Sequence, residues 1–108
     1  MRLQLKTLRL PALLVATLLP LAAHTTELDA PQVELLAASC ANCHGTEGRL
    51  AGVIPAIAQR PAGVLEAQLL AFKRGEEARA TVMDRIARGY SDEELRALAR
   101  YFANLDNQ

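Results

Sequence analysis

From residue 29 onward the apolar positions recur at helical spacing, and almost nothing alternates as a strand would. Val33, Leu36, Ala37 and Cys40 fall at i, i+3, i+4 and i+7, one face of a helix that Asp29 and Pro31 open. Gly45, Gly48, Gly52 and Pro55 then interrupt the pattern and predict a loop from Gly45 to Pro61. A second helix is expected from about Ala62 to Arg74, burying Leu65, Leu69 and Phe72, with Gly75 as its stop. A polar linker, Glu76–Thr81, leads to Met83 and a short helical turn that Gly89 ends. Ser91, with Glu94 three residues on, forms a capping box for the last helix, whose buried stripe is Leu95, Leu98, Ala99 and Phe102. This is the pattern of an all-α domain with three to four helices.

The first 23 residues are of another kind. They carry Arg2, Lys6 and Arg9, no acid, an apolar run from Leu10 to Leu21, and the small residues Ala22 and Ala23. That is the layout of an export signal. The run is shorter than the roughly 20 residues a bilayer core demands, and Pro11 and Pro20 weaken a membrane helix further. An uncleaved anchor is the alternative. Cleavage after Ala23 would leave residues 24–108 as one domain in the periplasm, without a stable membrane span.

Charge follows the same division. The full chain balances 12 Lys and Arg against 12 Asp and Glu, but three of the cations lie in the leader, so residues 24–108 carry a net −3. No basic cluster remains there for nucleic acid. The apolar content of this segment is also thin. Sixteen of its 40 apolar residues are alanine, and its aromatics are Phe72, Tyr90, Tyr101 and Phe102. Domains of this size often need a disulfide, metal or cofactor to complete the core.

The two cysteines identify the missing piece. They stand in Cys40-Ala41-Asn42-Cys43-His44, at the end of the first helix. C-x-x-C-H is the attachment signature of c-type haem. Two thiols on one helical turn can bond the two vinyl groups along one porphyrin edge, and the following histidine then meets the iron. A disulfide between such near neighbours would constrain little of the unfolded chain. A redox dithiol would want the motif at a helix N-terminus after a strand, and zinc would need two more ligands, for which His24 is a poor third. Haem also supplies the apolar surface that short helices lack. Met83 is the only methionine after the leader and lies in a polar region, so it is the candidate sixth ligand; His24 or an open site are the alternatives. A His/Met pair would raise the reduction potential and leave the iron no position for substrate.

With these motifs the chain resembles the small class I c-type cytochromes of bacteria over about Val33–Leu105. The resemblance rests on CANCHGTEG (40–48), Pro55 with Gln59, QLLAFKRGE (68–76), Met83 and LRALARYFANL (95–105). It implies the class I cytochrome c fold around one covalent haem, Cys40 and Cys43 as attachment points, and His44 and Met83 as iron ligands. It further implies that the Pro55 carbonyl accepts the His44 Nδ1 proton, and that the terminal helices cross with Leu36 near Tyr101. Within the family, residues 57–59 and 72–91 are most similar to the cytochrome subunit of flavocytochrome c sulfide dehydrogenase. Ile57-Ala58-Gln59 departs from the Leu-Ala-Gly-Gln of many relatives, and a single C-x-x-C-H excludes the two-haem version.

The function implied is periplasmic one-electron transfer, with an FAD-containing sulfide dehydrogenase flavoprotein as donor. A freely diffusing shuttle between redox enzymes is the alternative, and a thiol-disulfide oxidoreductase using Cys40 and Cys43 is the alternative of another class. Arg60, Arg79 and Arg85 are candidate partners for the haem propionates, or are simply solvated. Tyr90 packs on the haem, a partner or the core, and Val53, Ile54 and Ile57 are candidate docking or haem-pocket residues.

Overall fold

A computed structural model describes residues 27–107; the export signal, its cleavage after Ala23, and His24 lie outside them. Helix α1 spans Ala30–His44. Asp29 Oδ1 accepts from the Gln32 amide at 2.9 Å, and the Gln32 side chain accepts from the Asp29 amide at 2.9 Å, a capping box that satisfies two backbone donors reciprocally. Helix α2 spans Ala62–Arg74 and stops at Gly75, where φ is 71°. The Gly75 amide donates to Phe72 O and the Glu76 amide to Ala71 O, the paired bonds that close a helix on a left-handed residue. Helix α3 is only Met83–Ala87. Helix α4 spans Asp92–Ala103, and the expected capping box is present: Ser91 Oγ accepts from the Glu94 amide at 3.1 Å, and Glu94 accepts from the Ser91 amide at 2.7 Å. Among the described residues there is no strand, so the all-α expectation holds.

The core lies where α4 packs against α1 and α2. Ala37, Leu65, Leu98, Ala99 and Phe102 form its buried cluster, with Leu36 and Tyr101 both packed against it. Leu95, Leu98, Ala99 and Phe102 are all buried, as the stripe predicts. On α2 the expectation needs correction: Leu65 is buried, but Leu69 and Phe72 are only half-buried. Both line an open cleft, Leu69 while also packing against the core cluster.

The segment between α1 and α2 is more structured than a plain loop. It contains a 3-10 turn, Thr46–Gly48, and holds Glu47 and Gln59 in the left-handed region, with φ of 54° and 57°. Backbone bonds over-determine that path. The Gly48 carbonyl accepts from the Ile57 and Ala58 amides, and the Gln59 amide donates to Phe102 O at 2.8 Å. Gly48 itself has φ of 70°, and a Cβ there would lie 2.6 Å from Ile57 Cγ1 and 3.0 Å from the Phe102 ring. Only glycine fits that approach. The segment is thereby clamped to α4, which presents Pro55 to the end of α1.

Candidate functional site

A cleft of about 570 Å³ runs between the end of α1, the clamped segment, α2 and α3. This is within the ~300–1,000 Å³ range of cofactor pockets. Cys40, Cys43, His44, Pro55 and Met83, separated by up to 43 positions in sequence, all line it. The remainder of the wall is largely apolar, with Ile57, Leu65, Leu69, Phe72, Leu98 and Phe102 contributing.

Each site residue is held by local structure. His44 is the last residue of α1 and is buried. Its Nδ1 lies 2.6 Å from the Pro55 carbonyl oxygen. A carbonyl only accepts, so Nδ1 carries the proton in this bond, and Nε2 is the ring nitrogen left for a ligand. Cys40 is half-buried and Cys43 exposed, and they lie on one turn of α1 with no disulfide between them. Burial, the largest influence, pushes the Cys40 thiol above its ordinary pKa, with the Ser39 hydrogen bond opposing. A reactive dithiol would need the opposite shift and a helix N-terminus; here the motif closes α1 at its C-terminal end. Among the described residues no three His, Cys, Asp or Glu side chains are grouped to hold a metal ion. Met83 opens α3 and is half-buried.

Two thiols on one helix face, an imidazole with a bare nitrogen, a thioether from another element and an apolar wall form a donor set that fits haem. The core left incomplete by the polypeptide fits it as well. Of the three candidate arginines, Arg60 and Arg79 line the cleft, whereas Arg85 is exposed and outside its wall. Val53, Ile54, Ile57 and Tyr90 all border the cleft. Ser39 also lines it and is bonded to Tyr90. Nothing in the hydrophobic pattern singles out Ser39, because a serine on the solvent side of a helix gives no periodic signal.

Comparison with known proteins agrees with this chemistry. The cytochrome c family profile matches residues 33–106. Over 75 residues the chain is 44% identical to the cytochrome subunit of sulfide dehydrogenase from Chlorobaculum tepidum, covering 69% of this chain and 67% of that protein. It is 33% identical to cytochrome c-554(548) from Halomonas halodenitrificans over 79 residues, 70% of this chain and 95% of the relative. It is 34% identical to cytochrome c-553 from Helicobacter pylori over 85 residues, 77% of this chain and 88% of the relative. This chain belongs to the cytochrome c family: it is an electron-transfer protein with one covalently bound haem c, for which Cys40-Ala41-Asn42-Cys43-His44 supplies the attachment motif.

Proposed function

We propose that the chain is a periplasmic His/Met cytochrome that accepts electrons from an FAD-containing sulfide dehydrogenase subunit, after export and cleavage near Ala23. The observation that carries the site reading is the convergence of Cys40, Cys43, His44 and Met83 on one apolar cleft, with His44 Nδ1 committed to Pro55. When bound, the haem supplies a one-electron couple between ferrous and ferric iron. Cys40 and Cys43 hold the porphyrin edge through thioether bonds. His44 would hold the iron through Nε2, its ring orientation fixed by the Pro55 carbonyl. Met83, at the start of α3, would hold the iron through its thioether, a ligation that favours the ferrous state and would leave sulfide no site on the iron. Leu69, Phe72 and Leu98 exclude water from the cleft and keep its dielectric low.

A filled coordination sphere has no position at which sulfide, a two-electron donor, could react. The chain therefore needs a separate catalytic protein that delivers electrons singly. The 44% identity to a sulfide dehydrogenase cytochrome subunit supports a flavoprotein in that role. Exposed Val53 and Ile54 at the cleft rim supply part of a contact face. A second reading, a freely diffusing shuttle, draws on the two relatives whose own lengths the chain nearly spans. Purification from the native host separates the two. The first reading expects an untagged flavoprotein in the red fraction and haem reduction when sulfide is added. A flavin-free monomer reduced equally well by unrelated donors leaves only the shuttle.

A further inference from the structure

Among the described residues, two side-chain hydrogen bonds leave α1 for later parts of the chain. One is His44 to Pro55. The other joins Ser39 Oγ to the Tyr90 hydroxyl at 2.7 Å, across 51 positions. Its direction can be assigned. Ser39 Oγ sends its single proton to the Leu36 carbonyl at 2.8 Å, so Tyr90 donates and Ser39 accepts. Both residues line the cleft, and Ser39 adjoins Cys40.

The position of Tyr90 gives the bond its meaning. Tyr90 lies between the end of α3 and Ser91, the cap of α4, and its amide donates to Ala87 O. The bond therefore ties the turn that carries Cys40 to the far end of the five-residue helix that opens with Met83. That helix packs against α2 but buries little of itself. No side chain caps it, Val82 and Ile86 are exposed, and Ala87 is its only buried residue. So short a helix is marginal alone, and segments with few buried contacts open locally at low free energy.

We propose that the Tyr90–Ser39 bond is a tether that keeps the Met83 turn closed over the cleft, with Tyr90 as a positioning residue for the sixth ligand. The inference rests on Met83 being that ligand. Tyr90→Phe keeps the ring and leaves Ser39 bonded to Leu36, so the substitution removes the tether and little more. A net hydrogen bond of ordinary strength corresponds to an opening equilibrium about two- to tenfold larger when it is lost.

The test is the rate at which cyanide binds the ferric holoprotein, with Met83→Ala supplying the rate of an open iron. Tyr90→Phe and Ser39→Ala should each bind cyanide about two- to tenfold faster than wild type. The double variant should be no faster than either single one, and Ser39→Thr, which keeps the hydroxyl, should bind at the wild-type rate. A wild type as fast as Met83→Ala would remove the ligand reading and the tether with it. A slow wild type matched by both single variants would overturn the tether alone and leave Met83 as ligand. A fall in melting temperature at unchanged cyanide rate would likewise overturn it, since that is the mark of a bond with only a structural role.

Discussion

The α1–α4 side of the molecule and the α2–α3 side are built differently. Where α4 meets α1 and the clamped segment, the polypeptide completes its own packing: Leu95, Leu98, Ala99 and Phe102 are buried, and Gly48 meets the Phe102 ring with no room for a side chain. Across the cleft, Leu69, Phe72 and Met83 are half-buried, and Ile86 on the five-residue helix and Val82 just before it are exposed. The same chain thus has a protein core where α4 meets α1 and the Leu65 face of α2, and a cleft-facing side of α2 and α3 that the cofactor completes. For a domain of this size that division explains how so few large apolar residues suffice.

The largest effect should come from withholding the haem. In the double variant Cys40→Ser/Cys43→Ser, α3 and the cleft side of α2 lose the cofactor surface, and α2 keeps only its contact with α4 and α3. Helices α2 and α3 supply 18 of the 45 α-helical residues. Circular dichroism should fall by about that share or more, and hydrogen exchange should show α2 and α3 least protected. Retained helicity with equal protection in both halves would break the comparison.

Next in size is Phe102→Ala. Its ring is buried against Gly48 as well as lining the cleft, so it should cost about 3–5 kcal/mol by denaturant unfolding of the holoprotein. Leu69→Ala, on the cleft wall, should cost less stability and instead shift the haem absorption and potential. Gly48→Ala should cost about 1–3 kcal/mol, because the added Cβ meets Ile57 and Phe102 at a positive φ.

The smallest effect sharpens the comparison at the seam between the halves. Lys73 Nζ donates to Asp92 Oδ1 at 2.6 Å, joining the end of α2 to the start of α4. That hydrogen bond holds the Asp92 carboxyl below its ordinary range. A carboxyl depressed in the folded state stabilises above its unfolded pKa, and the contribution is lost as pH falls through the folded value. Lys73→Met should therefore lower the melting temperature slightly at pH 7. Below the carboxylate range the variant and wild type should converge.

Much of this was legible in the sequence, for identifiable reasons. The helix limits at Asp29, Gly75 and Ser91 are marked by residues whose local chemistry acts within four positions. Cys40, Cys43 and His44 are adjacent, so their geometry needs only a helical turn. Met83 stands out as the only methionine in residues 24–108, and it lines the cleft. What escaped depends on long-range placement. Gln59 adopts φ of 57° because Phe102, 43 positions away, accepts its amide proton. Arg85 was grouped with Arg60 and Arg79 by charge, yet α3 turns it away from the cleft wall. Leu69 and Phe72 carry the same periodic signal as Leu65, and periodicity cannot tell a face that meets protein from one that meets a cofactor.

The central claim is that His44 and Met83 together hold the iron in this cleft. The reduction potential and visible spectrum of Met83→Ala test it most directly. With the haem still attached through Cys40 and Cys43, the potential should fall and the spectrum should change to that of an iron open to added ligands. A Met83→Ala protein with the wild-type spectrum and potential would contradict the account, since some other group would then occupy the sixth position.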